Sequence, residues 1–188
     1  MSNTVKIALA GEGGQGIQSV AGIIVQAAYE EGKEALYIPN FGVEQRGGVS
    51  VAYCQISDSK IGSPKFVFAD LVIALSDRAV RRTRQYVNEN TVFIYDSSIE
   101  GIEADLPQEA KKILAIPALD IAKKELQPRV FNVIIMGVAI AATKIIDMES
   151  IKRSLENKLG YKFAKDPALR ELNLRALSRG ADLVKDLF

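Results

Sequence analysis

Short apolar runs of strand length alternate with amphipathic segments of helix length along most of the chain. The first unit predicts a strand over residues 5–10, a glycine-rich turn and a helix over 17–31, with Gly32 as its C-terminal cap. Further apolar runs predict strands over 35–39, 69–75, 91–95 and 112–116. This alternation predicts one α/β domain over residues 1–188, Rossmann-like and three-layered, with a mostly parallel sheet between helices on both faces.

One segment breaks this rhythm. The loop NFGVEQRGG leads to a β-branched and aromatic run over 49–57, which ends at Asp58-Ser59-Lys60. Those three residues are typical of a tight turn, and a short apolar segment at Ile61 follows. The pattern predicts a hairpin between 49–57 and the Ile61 segment. Since a hairpin is antiparallel, the sheet is predicted to be mixed.

The last third of the chain is predicted to be helical, with helices over 118–126 and 131–146, a third one capped by Asp147 that ends near Gly160, and a fourth that opens at Pro167. The segment 131–146 is apolar on nearly every side. It falls short of the roughly 20 residues that a membrane span requires. We therefore expect a helix covered by the core or by another subunit, and no membrane association.

Composition narrows the chemistry. The 188 residues include 24 Lys and Arg against 23 Asp and Glu, one cysteine and no histidine. The net charge of +1 disfavours nucleic-acid binding. With Cys54 alone, the chain cannot supply a cluster or zinc site from cysteines, and without histidine it lacks the commonest general base. No leader pattern precedes the first strand, so we expect a cytoplasmic protein. Because cysteine and histidine ligands are lacking, we expect no metal site, and we expect Cys54 to be a small buried residue.

The turn after the first strand carries the first candidate site. Gly11, Gly13 and Gly16 have the G-x-G-x-x-G spacing, and Gly14 and Gln15 lie between them. Glycines allow positive φ and close approach, and the free N–H groups of a helix start attract anions. A dinucleotide site also needs an acidic residue after the second strand, where residues 38–40 are Ile-Pro-Asn. A packing turn, a phosphate site and a protein-docking surface all stay open.

A second glycine-rich loop follows the second strand and holds Glu44, Gln45, Arg46, Gly47 and Gly48. It is expected at the same carboxyl edge of the sheet as the first turn, where ligands of open α/β folds bind. The guanidinium of an arginine between glycines can hold a carboxylate or a phosphate. The alternative is an ion pair within the loop, for example with Glu44.

The two loops and several later segments resemble the γ subunit, or γ domain, of 2-oxoacid:ferredoxin oxidoreductases. The resemblance spans nearly the whole chain and is strongest to γ chains of the 2-oxoglutarate type, with pyruvate and branched-chain types close behind. The segments that carry it are GEGGQGI, FGVEQRGGVSVAYCQISDSKI, ADLVIALS, VFIYDSS, FNVIIMGVAIAA and LNLRALSRG.

The resemblance implies a subunit of an enzyme that decarboxylates a 2-oxoacid on thiamine diphosphate, sends electrons through iron–sulfur clusters to ferredoxin, and releases an acyl-CoA. Thiamine diphosphate and clusters are expected on the α, β and δ or other cluster-bearing partner subunits, so this chain is expected to have no catalytic residue and no activity alone. CoA is the ligand expected to reach the γ part.

The same resemblance assigns residues by position. It implies contact with CoA or a neighbouring subunit for both loops, and Asn132 and Asn173 also match its pattern. Glu12 and Val43 depart from that pattern, and the Glu12 carboxylate would compete with an incoming phosphate. All the candidate contact residues except Gly11 match the family's loops by position; the candidates are Gly11, Gly13, Gly14, Gln15, Gly16, Glu44, Arg46, Gly47 and Gly48.

Two other functions stay open from the sequence. The chain could be an independent NAD- or FAD-dependent reductase, which the missing acidic residue after the second strand disfavours. It could also be a noncatalytic scaffold that shares the fold. We further expect the isolated chain to self-associate, because a subunit without its partners exposes apolar area.

Overall fold

In the computed structural model, which describes residues 4–41 and 48–188, six strands form one mixed sheet in the order β2-β3-β1-β4-β5-β6. Strand β3 runs antiparallel to both β1 and β2, and β1, β4, β5 and β6 run parallel. The predicted mixed, mostly parallel sheet is therefore confirmed. The strands are β1 (Val5–Glu12), β2 (Glu34–Asn40), β3 (Val49–Ser57), β4 (Leu71–Ala74), β5 (Val92–Asp96) and β6 (Lys112–Ile116).

The predicted hairpin after β3 is wrong. Ile61 lies in no strand, and β3 instead pairs with β2 from Glu34↔Ser57 to Asn40↔Val51. The physical reason is that β3 lies inside the sheet. Its backbone groups are already bonded to β1 on one side and β2 on the other, so no edge is left for another strand.

Helices cover both faces of the sheet, which confirms the three-layer prediction. Alternation along β1 sends Ile7 and Leu9 to one face and Ala8 and Ala10 to the other. The first face packs against α1, α3, α4, α5 and α6, and the second against α2. The helices are α1 (Ile17–Glu30), α2 (Asp77–Thr83), α3 (Ala118–Lys124), α4 (Phe131–Thr143), α5 (Met148–Phe163) and α6 (Pro167–Asp182).

The caps that the sequence predicts at Asp147 and Gly32 are found, and Ser76 provides a further cap. Ser76 caps α2 by accepting a hydrogen bond from Ala79 N, and Asp147 caps α5 by accepting one from Glu149 N. Gly32 follows α1 with φ +80°, the left-handed conformation that glycine adopts readily. Helix α4 ends at Thr143, three residues before the predicted end, because Lys144 turns left-handed with φ 51°.

Helix α4 is buried over most of its length, as its sequence predicts, and it meets α6 at two glycines. A Cβ at Gly137 would collide with the backbone carbonyl of Leu177, and a Cβ at Gly180 with that of Ile134. The two backbones therefore touch without intervening side chains. Any larger residue at either position must separate the helices.

We expect Gly180→Ala to lower the free energy of unfolding by about 2 kcal/mol or more, since its methyl would meet backbone that cannot rotate away. The matched control is Gly160→Ala in α5, where an added Cβ has nothing within 4 Å. That change should be neutral or stabilise by up to about 1 kcal/mol. Urea denaturation measures both, and equal effects would contradict this account of the α4–α6 contact.

Candidate functional site

The glycine turn between β1 and α1 is fixed by the side chain of Gln15. Its Oε1 accepts from Glu12 N at 2.7 Å, and its Nε2 donates to Leu75 O at 2.9 Å, just beyond the end of β4. A Cβ at Gly11 would lie 2.5 Å from the same Oε1. The Gln15 amide is thus engaged by this chain's own backbone, and it positions the turn instead of facing a ligand.

The apex of the turn is open. Gly13 and Gly14 are exposed, and a Cβ built on either would meet no atom of residues 4–41 and 48–188 within 4 Å. The Gln15 N–H bonds back to Glu12 O at 3.2 Å, and Gly14 has φ +95°, as the third residue of a type II turn requires. The backbone of these two glycines is therefore accessible to a molecule from outside.

Gly16 joins the turn to α4. It is the N-cap of α1 with φ 74° and provides no side-chain cap. A Cβ on it would collide with the side-chain amide of Asn132, which is the second residue of α4. Gly16 is therefore needed twice, for its left-handed backbone and for the close approach of Asn132.

The two predicted loops start from the same edge of the sheet. Glu12 pairs with Val49, the residue after Gly48, and Asn40 at the end of β2 pairs with Val51. Gly48 thus lies beside the glycine turn. Glu44, Gln45, Arg46 and Gly47 lie outside the described residues, so their contact with a ligand or subunit stays a prediction.

A cleft of about 620 Å³ opens beside the turn, between α1, α4, α5 and α6. Ser19, Asn132 and Asn173 line it together with Arg129, Lys158 and Lys162, and none of its lining residues in the described part of the chain is acidic. Cations gathered in a concave site focus a positive potential on whatever enters it. The geometry therefore suits an anion, and Asn132 connects that cleft to the glycine turn.

The cleft brings together Asn132 and Asn173, which the sequence indicated separately, and adds three cations that the sequence did not indicate. Asn173 is buried, and its Nδ2 donates to Leu169 O at 2.7 Å within α6. The cations Arg129, Lys158 and Lys162 were missed by the sequence reasoning. The spacing of Lys158 and Lys162, four apart on one helix face, was the available signal.

A second polar network behind the turn was also missed. Gln18 in α1 donates to Ser50 Oγ of β3 at 2.5 Å and accepts from the Tyr37 hydroxyl of β2 at 2.5 Å. Burial, with a smaller contribution from Cys54, raises the pKa of Tyr37. The hydroxyl therefore stays protonated and serves as a donor that ties α1 to the β2–β3 edge.

Cys54 lies fully buried in β3, and burial raises the pKa of its thiol to about 12. A neutral, inaccessible thiol is neither a nucleophile nor a metal ligand. Within residues 4–41 and 48–188 there is no group of three or more metal-ligating side chains. Over the same residues, no helix combines the length and the hydropathy that crossing a bilayer demands.

The sheet order and the glycine turn define a Rossmann-like α/β domain, and a cleft lined by basic residues lies between its helices beside that turn. Residues 6–183 match the family described as pyruvate ferredoxin/flavodoxin oxidoreductase, and the chain belongs to that family. This assignment confirms the resemblance noted in the sequence and gives no support to an independent NAD- or FAD-dependent reductase.

Relatives match over almost the whole chain. Ketoisovalerate oxidoreductase subunit VorA of Methanothermobacter thermautotrophicus is 31% identical over 97% of this chain, which spans only 37% of VorA. The 2-oxoglutarate synthase subunit KorC of Methanocaldococcus jannaschii is 31% identical, covering 97% of this chain and 95% of KorC.

Solved structures give the same result. The 2-oxoglutarate:ferredoxin oxidoreductase of Magnetococcus marinus, solved with 2-oxoglutarate, coenzyme A and succinyl-CoA, superposes with a TM-score of 0.88 at 25% identity over 98% of this chain and 32% of its own. A keto/oxoacid ferredoxin oxidoreductase γ subunit of Geobacter sulfurreducens gives 0.77 at 25% identity, covering 95% and 96% of the two chains.

We expect Gly16→Ala to destabilise the fold by about 2 kcal/mol or more, because it adds left-handed strain to a collision with Asn132. Gly13→Ala is the control, since its Cβ has open space and its φ is not positive. In an Asn132→Ala background the Gly16→Ala penalty should shrink, leaving the backbone strain. Urea unfolding of the four variants and the parent measures this coupling, and a full penalty in both backgrounds would contradict the contact.

Proposed function

We propose that this chain is the γ component of a multi-subunit 2-oxoacid:ferredoxin oxidoreductase and that it holds CoA for the complex. Support comes from the family match and from relatives whose names describe oxidoreductase subunits. In the proposed reaction a 2-oxoacid loses CO₂ and its acyl group joins the sulfur of CoA. Two electrons leave singly to two oxidised ferredoxins, and one proton is released.

The observation that carries the CoA proposal is the basic cleft that Asn132 joins to the open glycine turn. CoA bears a diphosphate and a 3′-phosphate on a long, flexible molecule. Arg129, Lys158 and Lys162 offer charge to these phosphates, and the Asn132 amide offers a hydrogen bond. The positive end of the α1 dipole, which no side chain caps, adds to this potential.

The chain's own contribution is therefore binding and orientation. The open backbone at Gly13 and Gly14 allows the uncharged pantetheine arm to pass close to the turn, while Gln15 holds the turn rigid. Glu12, half-buried at the start of the turn, disfavours a phosphate there and so favours the cationic cleft for the phosphates of CoA. Thiamine diphosphate and the clusters belong to the α, β and δ or other cluster-bearing partners in this proposal, and ferredoxin is reached through them.

For the substrate we propose 2-oxoglutarate, with ketoisovalerate and pyruvate as the alternatives. KorC, named for 2-oxoglutarate, matches this chain over 95% of its own length, and the Magnetococcus marinus enzyme was solved with 2-oxoglutarate. A cytoplasmic location is part of the same proposal. Its support is the lone cysteine, which stays buried as a thiol.

Purification from the source cells through a tag on this chain tests the subunit assignment. We expect co-purifying chains that contain thiamine diphosphate and iron, and 2-oxoglutarate-dependent, CoA-dependent reduction of ferredoxin by the preparation. Ketoisovalerate and pyruvate are assayed side by side. The chain produced alone should show none of these activities. The proposal would be refuted if the chain produced alone reduced ferredoxin, or if the tagged chain came out of the source cells without partner chains.

Lys158→Gln in the assembled complex tests the CoA role. Loss of one phosphate contact should raise the KM for CoA about fivefold to tenfold, with kcat within about twofold, because the cleft binds CoA without taking part in bond making. The effect should shrink at high salt. Lys165→Gln is the matched control, because Lys165 is an exposed lysine just after the end of α5 and lies outside the cleft. An unchanged KM for CoA in Lys158→Gln would favour a purely architectural role.

A further inference from the structure

The segment between β3 and β4 exposes apolar side chains that the fold does not need. Val67 is 71% exposed and Phe68 46% exposed, and Phe41 at the end of β2 is 67% exposed. Together they make up half of the six large hydrophobic side chains that are exposed in the described part of the chain. Such a concentration marks an interaction surface more often than isolated exposed residues do.

The segment is held in a defined shape. Gln55 Nε2 donates to Ser63 O at 2.8 Å at its start, and Ala69 N donates to Tyr86 O at 2.8 Å at its end. Between these anchors the Phe66 ring packs edge-on against Tyr53 at 5.8 Å and against Tyr86 at 6.3 Å. With Phe66 fixed inward, Val67 and Phe68 are presented outward at little entropic cost on binding.

The aromatic anchor itself is rigid. The Tyr53 and Tyr86 rings pack edge-on at 5.4 Å, and their hydroxyls share a hydrogen bond of 2.8 Å. Burial, followed by the hydrogen bond with Tyr86, raises the pKa of Tyr53 well above its usual value. The Tyr53 hydroxyl therefore stays neutral in the physiological range and keeps its hydrogen bond with Tyr86.

Two clefts adjoin along this segment and share Lys65 and Phe66. One of about 450 Å³ includes Phe41, and the other of about 720 Å³ includes Val67 and Phe68. We call this continuous area, formed by Phe41, Lys65, Phe66, Val67 and Phe68, the FVF surface. It belongs with the face of the sheet that α2 covers, since Tyr53, Phe66 and Tyr86 pack against that core, whereas the CoA cleft belongs to the other face.

Charge indicates what fits the FVF surface. Lys65 is exposed, lines both clefts and has no ion-pair partner among the described residues; Lys6 lines the second cleft as well. Asp70 is the one acidic lining residue of the two clefts in the described ranges. A complementary partner therefore brings a carboxylate to Lys65 within an apolar contact.

A second copy of this chain fits poorly. In a two-fold contact Lys65 would have to pair with Asp70 of the other copy, the one carboxylate that lines the two clefts in the described ranges. Asp70 Oδ2 already accepts a hydrogen bond from Lys6 N at 2.7 Å, which leaves it poorly suited to that pairing. We infer that the FVF surface docks another subunit of the oxidoreductase complex, one that presents aromatic or aliphatic side chains around a carboxylate. This inference rests on the proposed function, and it adds the surface by which the chain joins its complex.

Tagged Val67→Asp and Phe68→Asp chains, each purified from the source cells, test this surface against the parent. Each buries a charge in an apolar contact, so the partner mass recovered per tagged chain should fall about tenfold or more. Tyr29→Asp is the matched control, 71% exposed on α1 and remote from the FVF surface, and it should recover partners within about twofold. Thermal unfolding verifies that each variant keeps its fold, as the exposure of these positions predicts.

Lys65→Glu and Lys65→Arg add the charge test. We expect Lys65→Glu to lower partner recovery at low salt and Lys65→Arg to retain it. If the parent assembles and Val67→Asp assembles equally well, the inference is overturned while the proposed function stands. If the parent recovers no partner at all, the proposed function falls and this inference with it. Loss of self-association without loss of partner recovery would assign the surface to a second copy, against the inference.

Discussion

The direct backbone contact between α4 and α6 is the constraint on which the helical layer depends. Gly137 and Gly180 let the two helices approach without side chains between them. That approach fixes the position of α4, and with it the placement of Asn132 against Gly16. One wall of the cleft carries Asn173 of α6, and another begins at Asn132 of α4, so the width of the cleft follows from the helix contact.

The glycine turn divides its work between the interior and the exterior. Gly11 and Gly16 leave room for the side chains of Gln15 and Asn132, so their lack of a Cβ serves this chain's own packing. Around Gly13 and Gly14, no atom of the described residues lies within 4 Å of an added Cβ. A glycine pattern that looks uniform in sequence thus contains two kinds of position. The outward pair, Gly13 and Gly14, is accessible to a ligand or a partner.

Much of the fold could be predicted because hydrophobic periodicity and helix caps are local features of the sequence. Strand β6 and the starts of α1, α4 and α6 fall where periodicity and caps place them, whereas the Ile61 hairpin fails because pairing partners are chosen by the whole sheet. At the site, Asn132 and Asn173 were found through resemblance. Arg129, Lys158 and Lys162 were missed, since only the packing of separate helices gathers them.

The order of the strands has a further consequence. From β1 the chain crosses through α1 to β2 on one side, whereas β4 and β5 continue on the other side of β1, and their connecting helix α2 lies on the opposite face. The carboxyl end of β1 is therefore a topological switch point, where connections diverge and leave a crevice without any side chain having to carve it. The crevice at this edge thus results from the order of the strands. Substitutions of the side chains around it change which ligand binds there without removing the crevice.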